Sequence, residues 1–519
     1  MAIVSGDYIP TTGRVLARMD QRAQFDLADA IDQRLRDNLT ICSTWIAQAH
    51  ASFRYYRSDQ LKRRSGTEER NRIRHVANFI RRDVDLIASE ILDGKPVVNP
   101  IGRSPRYYEL GRQLVQVLEW SRDEEEDWHD SLEKAITFCV HVGEGILYEG
   151  WDQDADGGRG LPIAIAIDPR YFFWDPRCQR MQRDDAEWMI WMSLESLDQV
   201  KEQFPEVADR LSPEDRDTYQ MPSQDVPAGR SGYQRSAASM GTQGMRRDEE
   251  QIWVKRQWSK KRQYKKIFYY KDSVEVAMGL VDGEEKPLDQ AAYNLLSPEE
   301  KDQVIADRVR VVELWETTAL NQYVVEHKLS PFDKSKGGHG HYPFAFFSYE
   351  VVPDEPRARG EIGFLMATQD IMNETVTQLL EQMFLNNIGY WHVYKGTMDP
   401  TERDKVDQIG YRPHRVIETY QGSQPPQHVG VDPAGLNMAA QMLPIIKDLA
   451  DKTSGIHDVD RGEVPGNIQS GRAIRALQAK TSRLNIKVKR HVESGLRRAT
   501  HLRLHNIMQF MRCPRVIEV

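Results

Sequence analysis

Asp168, Asp175, Asp184 and Asp185 come nearest to a reactive constellation, because carboxylates gathered in one short stretch can hold the two divalent cations of a metal-dependent nuclease. Asp168 and Asp175 each precede a proline, however, which is how turns between strands begin. His339 and His341, in KSKGGHGHYP, could touch a metal, but histidine pairs in glycine-rich loops are usually solvated. Aromatic and basic residues interleave over Trp253–Tyr270. That mixture suits stacking on single-stranded nucleic acid, and an amphipathic β-strand explains it as well. No GxxxxGK[ST] phosphate loop, GxSxG elbow or HExxH helix is present, and Asp93-Gly94-Lys95-Pro96 lacks both the upstream glycine and the hydroxyl residue. No catalytic, cofactor-binding or metal-ligating residues are therefore expected.

Charge is more informative than catalysis. Asp458–Gly471 (DVDRGEVPGNIQSG) is a glycine-punctuated loop, and Ser470 can cap a helix running from Arg472 to about Phe510. Ile474, Leu477, Ile486, Val492, Leu496, Ile507 and Phe510 recur at roughly helical spacing along it. Its polar positions hold Arg472, Arg475, Lys480, Arg483, Lys487, Lys489, Arg490, Arg497, Arg498 and Arg503, with Glu493 as the opposing acid. A polyanion, or an acidic surface of this fold or of an identical subunit, should lie beside it. The opposite pattern occurs after Gly360. There Leu365, Met372, Val376, Leu379 and Met383 form an apolar stripe on a helix that also carries Glu361, Asp370, Glu374 and Glu381.

The elements that must position these segments can be read at lower resolution. A chain of 519 residues suggests about three structural units. Its net charge of -8 conceals an Arg-rich stretch at 54–82, an acidic run at Asp123–Asp127 and the basic stretch at 472–512. Cys42, Cys139, Cys178 and Cys513 are far apart and signal neither a zinc site nor a disulfide framework, so a reducing, cytoplasmic setting is expected. The amino terminus lacks a secretion leader's pattern, and no window approaches 18 apolar residues, so no membrane association is expected. Amphipathic helices are expected over 20–58, 66–93 and 123–142. Strands follow at 145–151, 162–167, 171–174 and 187–192, with a helix at 193–204. Residues 213–249 are polar and read as a mobile linker, and 250–355 as a mostly β module. Helices over 360–386 and 432–452 precede the glycine loop. The expected class is α+β, mainly α.

In order along the chain, several stretches together resemble the portal, or head-to-tail connector, proteins of tailed bacteriophages, most closely those of short-tailed phages. They are Asn71–Pro100 ending in GKPVVNP, Gly143-Glu144-Gly145 leading to Trp151-Asp152, Ile167-Asp168-Pro169 and Trp174-Asp175-Pro176. Gln369-Asp370 to Asn373 and Gln469-Ser470-Gly471 to Ala473-Ile474 and Gln478 complete the set. Each is weak alone, and their order and spacing carry the resemblance. It implies a homo-oligomeric ring, usually of twelve subunits, at one capsid vertex of the virion, assembled in the host cytoplasm. Double-stranded DNA would pass through it, and terminase, major capsid, scaffolding and tail adaptor proteins would be its partners.

By the same resemblance the wing covers 1–250 with a return at 388–453, the clip 250–355, the stem helix 356–387, the tunnel loop 454–471 and the crown helix 472–519. DNA-channel residues would be Glu361, Asp370, Glu374 and Glu381. Tunnel-loop residues would be Gly462, Gly466, Asn467, Gln469, Ser470, Gly471 and Arg472. The crown's basic face would comprise Arg475, Lys480, Lys487, Arg490, Arg497 and Arg498. Physical chemistry points the same way for the acidic helix: a conduit must let DNA slide, and carboxylates repel phosphates where Lys or Arg would neutralise them. A metal-dependent nuclease and a cytoplasmic nucleic-acid adaptor are the competing readings.

Overall fold

The computed structural model describes residues 21–60, 75–92, 99–101, 105–124, 128–214, 219, 250–270, 278–281, 284–287, 304–388 and 486–511, with short pieces between 390 and 451. Helices are α1 (Gln21–Ile41), α2 (Ser43–Tyr56), α3 (Ile80–Leu92), α4 (Tyr108–Glu124), α5 (Trp128–Val142), α6 (Leu197–Gln203), α7 (Glu361–Ile388) and α8 (Ile486–Phe510). Strands are β1 (Glu144–Asp152), β2 (Leu161–Ile167), β3 (Phe172–Trp174), β4 (Trp188–Ser196), β5 (Gln251–Tyr270), β6 (Met278–Val281) and β7 (Glu284–Pro287). They continue with β8 (Val304–Leu320), β9 (Tyr323–Leu329), β10 (Phe344–Ser348), β11 (Tyr390–His392) and β12 (Gln427–Val429). The class is α+β. Among the described residues no helix is long and apolar enough to cross a membrane.

Two sheets form the body. One has the order β10-β1-β2 and the other β3-β4-β5-β8-β9. Strand alternation decides what each face meets. On the first sheet Leu147, Ala345 and Phe347 point to a cluster built with α3, α5, α7 and α8, while Ile146, Tyr148, Phe344 and Phe346 point the other way. There they meet Met189, Trp258 and Leu314 of the second sheet. The far face of that sheet offers Trp188, Ile190, Met192 and Trp253 to Ile31, Leu35, Trp45 and Ile46 of α1 and α2. The result is helix, sheet, sheet, helix.

Three expectations change. The helix expected over 20–58 is two, with Cys42 between them. Asn38, at the end of the first, donates to the Trp174 carbonyl at 2.6 Å, and the Cys42 thiol donates to its Oδ1 at 3.4 Å. Within 66–93 the helix begins at Ile80, because Asn78 Oδ1 accepts from Arg81 N and 75–79 are not helical. Residues 66–74 lie outside the described ones. The boundary near 250 disappears as well. β4 pairs with β5 from Trp188 opposite Ser259 to Ser196 opposite Gln251, and β10 pairs with β1, so strands of the expected clip complete the sheets of the expected wing. What remains separate is the outer half of the β5–β8 pair. It continues to Tyr270 opposite Val304 beyond the reach of β4 and β9, with Tyr264, Ile305 and Val312 exposed. Most of 213–249 lies outside the described residues.

Two glycines let helices rest closely on the first sheet. A Cβ on Gly145 would lie 2.0 Å from the Ala135 carbonyl oxygen, so α5 can rest directly on β1. A Cβ on Gly495 would lie 2.5 Å from a Phe347 ring carbon, fixing α8 against β10. Gly145→Ala should lower stability by about 3 kcal/mol, since backbone atoms on both sides would have to separate. Gly363→Ala, whose methyl would meet only the movable end of Gln48, should cost under about 1 kcal/mol or stabilise by helix propensity. Thermal unfolding of the two variants is the measurement.

Candidate functional site

A buried charge knot at the start of α7 joins both sheets to it. Glu144, the first residue of β1, is 1% exposed. Its Oε1 accepts from Arg183 at 2.8 Å and from the Ala358 backbone N–H at 3.3 Å, and its Oε2 lies 3.7 Å from Arg357. Arg357 also donates to the carbonyls of Pro169 and Phe172, at 2.8 and 2.5 Å. The Trp174 ring is within cation–π reach of both guanidiniums, 4.2 Å from that of Arg357 and 4.3 Å from that of Arg183. Gly143, at φ +101°, lets this turn pass the Ala358 carbonyl. Two motifs of the resemblance, Gly143-Glu144-Gly145 and Trp174-Asp175-Pro176, thus acquire a structural reason.

Along α7 a second buried network follows. Gln369 donates through Nε2 to the Ala77 carbonyl at 2.7 Å and accepts at Oε1 from Phe79 N at 3.2 Å. Asn373 Oδ1 accepts from Ala77 N at 3.1 Å, and its Nδ2 donates to Gln60 Oε1 at 2.6 Å. Gln60 in turn donates to the Tyr55 carbonyl. Two side-chain amides on one helix therefore replace a neighbouring strand for the extended 77–79 segment. Sequence reasoning noticed Gln369 and Asn373 only through the resemblance; their spacing of four on a helix was the available signal.

The acidic residues of α7 do not share one role. Glu361 is turned inward, 7% exposed, and accepts from the Tyr349 hydroxyl at 2.9 Å. It cannot line a channel from there, which corrects its assignment. Burial pushes its carboxyl up to about 7, with Asp83 and Glu350 adding to the rise. Asp370 and Glu374 are exposed one turn apart, Asp370 accepting from the Tyr55 hydroxyl at 2.5 Å, and Glu381 is half-exposed farther along.

The basic helix finds several of its partners within the chain. Among its described residues several cations meet carboxylates of this same chain: Lys487 with Glu350, Lys489 with Glu90 at 2.8 Å, Arg498 with Asp184 and Arg503 with Glu149 at 3.3 Å. Val488, Val492, Leu496 and Ala499 are buried in the core cluster, so the helix is a wall of the body. Arg490 and Arg497 are exposed. Arg475 and Lys480 lie outside the described residues, as do Gly462, Gly466, Asn467, Gln469, Ser470, Gly471 and Arg472.

The aspartates weighed for metal chemistry are committed elsewhere. Asp168 caps the turn at Pro169 and holds Arg170, Asp175 accepts from Arg177 N, and Asp185 accepts from the N–H groups of Gln179 and Arg180. Among the described residues no group of three or more His, Cys, Asp or Glu is placed to hold a metal ion. His339 is buried and stacked on Phe332.

A model of the phage P22-like portal protein family matches residues 32–519 of this chain. No curated protein matches it.

The burial of Glu361 makes a pH prediction. Its folded-state pKa lies above the ordinary carboxylate value, so its contribution is fully present below about pH 4.5 and is lost as pH rises through about 7. Glu361→Gln should therefore raise stability at pH 8 by about 3 kcal/mol and leave it nearly unchanged at pH 4.5, read by denaturant unfolding at both pH values.

Proposed function

The chain belongs to the phage P22-like portal protein family, which makes it a head-to-tail connector with a role in DNA packaging, and from that premise we propose how its elements serve the role. Twelve copies form a ring at one vertex of the capsid, in the virion and after assembly in the host cytoplasm. The ring's stems are α7 helices. Double-stranded DNA passes between them, and terminase, capsid, scaffolding and tail adaptor proteins dock around them. The chain acts as a conduit and has no hydrolytic activity of its own.

The observation that carries this placement is the asymmetry of α7. Its first half is clamped by Glu361, Gln369, Asp370 and Asn373, while Val376, Leu379 and Leu380 remain half-exposed in the single subunit. At about 1.5 Å per residue the helix is roughly 42 Å long, long enough for its outer half to stand clear of the body. Half-exposed apolar side chains on such a helix favour packing against the same helix of identical neighbours. Asp370, Glu374 and Glu381 would then face the lumen, where carboxylates weaken phosphate binding. The outer β5–β8 ribbon, with Tyr264, Ile305 and Val312 exposed, suits the clip and its docking partners. Residues 454–471, the proposed tunnel loop, retain the glycines that would let a constriction follow passing DNA.

Two measurements test this. Native mass spectrometry with negative-stain imaging should show rings with a central hole, and a dominant monomer even with scaffolding protein present would overturn the ring. Glu374→Lys with Glu381→Lys should leave rings intact but cause DNA to be retained during packaging in vitro. Retention should weaken as salt rises, with a slope growing by about 0.9 for each phosphate newly neutralised. Unchanged packaging by that variant would remove α7 from the lumen.

A further inference from the structure

Four histidines meet on the seam between the last turns of α8 and the loop joining β9 to β10. His501 and His505 lie one turn apart on α8, with ring centroids 4.5 Å apart. From the loop His341 lies 5.9 Å from His501, and His339 lies 6.1 Å from His341 and 6.5 Å from His505. Every element around the cluster adds charge. α8 supplies Arg498, β5 supplies Lys260, and the turn before β4 supplies Asp184 and Asp185. Asp185 is occupied by Cys178 and by the N–H groups of Gln179 and Arg180. Asp184 alone must serve Arg498 and His341, whose Nδ1 is 3.2 Å away, and its backbone oxygen accepts from Lys260 at 2.5 Å. Among the described residues one available carboxylate thus faces two cations and four imidazoles.

Neutral rings suit this arrangement. His339 Nδ1 accepts from His341 N at 3.0 Å, while its Nε2 is buried with no partner, so an added proton would cost a hydrogen bond and find no acceptor. The same seam holds the end of α8 in place: Phe332 stacks on His339 and packs against Phe510, and Gln509 donates to the Pro331 carbonyl at 2.7 Å.

We propose that this histidine cluster is an acid-operated latch: protons taken up by His339, His501 and His505 repel one another and Arg498, and release the last turns of α8 from residues 330–342 while the two sheets hold. Burial, then His341 and Arg498, keep His339 down at about 2. Burial, then His505, His341 and Arg498, keep His501 at about 4, and burial with His341 lowers His505. Asp184 is held at about 2, the His341 bond and the Arg498 charge outweighing the upward push of burial, so it stays ionised throughout. A released imidazole titrates near 6.5, so the open state binds more protons below that value. The latch is intact above about pH 6.5 and is lost progressively as pH falls towards 4.

His50, His141 and His327 are also held near 4 elsewhere in the fold, mainly by burial, so the test must read the seam itself. Amide hydrogen exchange of the full chain at pH 7.5, 6 and 5, corrected for intrinsic rates, would be followed in peptides covering 330–342, 498–511 and 188–196. The first two should lose protection as pH falls below 6, by up to about tenfold per pH unit for each proton taken up, with 188–196 unchanged. His501→Asn with His505→Gln should keep the pH 7.5 protection and flatten this dependence. His341→Asn, a milder change, should move it to lower pH. Equal loss in all three peptides, no loss at pH 5, or an unaltered dependence in both variants would overturn the latch.

Discussion

The buried carboxylate of Glu144 is the point through which the parts of this subunit are held in one arrangement. It begins β1, accepts from the backbone just ahead of α7, and binds two arginines, one following β3 and the other preceding α7. Neither arginine could remain in so dry a place without it, because an unpaired buried cation costs several kcal/mol, roughly 3–5 when a partner is removed. The carbonyls of Pro169 and Phe172 take two donors of Arg357, and the Trp174 ring lies 4.2 and 4.3 Å from the two guanidiniums. The direction in which α7 leaves the body is therefore set at its root, by charge and hydrogen-bond geometry.

Much of the architecture was legible in the sequence. Short, nearly continuous apolar runs in EWMIWM and in Phe344–Ser348 found β4 and β10, and the apolar stripe from Leu365 to Met383 found α7. Less legible were pairings between distant segments. Nothing local in Gln251–Ser259 says that its partner is Trp188–Ser196, so the composition suggested a separate module where one sheet exists. Orientation was equally hidden: Glu361 has the same side chain as Glu374, and only Tyr349, brought close by the fold, turns one inward.

The cations of α8 make the same point about charge. A stretch rich in Lys and Arg was expected to lie beside a polyanion or an acidic surface of this fold or of an identical subunit, and Glu90, Glu149, Asp184 and Glu350, dispersed along the chain, answer several of its charges. The more exposed pairs, Lys487 with Glu350 and Lys489 with Glu90, contribute little, at most about 1 kcal/mol each. The Arg503–Glu149 pair, both residues fully buried, would be costly to break from one side, roughly 3–5 kcal/mol. Sequence segregation of charge showed that partners must exist and left open whether they lie within the chain.

β1 hydrogen-bonds to β10, and the helix that covers them both is α8, near the far end of the chain. While the polypeptide is being made, residues 144–152 must therefore wait for residues 486–510 to leave the ribosome. At about 5–20 residues per second that interval is roughly 20–70 s. Throughout it the apolar faces of β1 and α5 lack their final cover, so a nascent chain of this topology has a prolonged need for chaperones, and truncated translation products should be aggregation-prone and unable to join full-length copies.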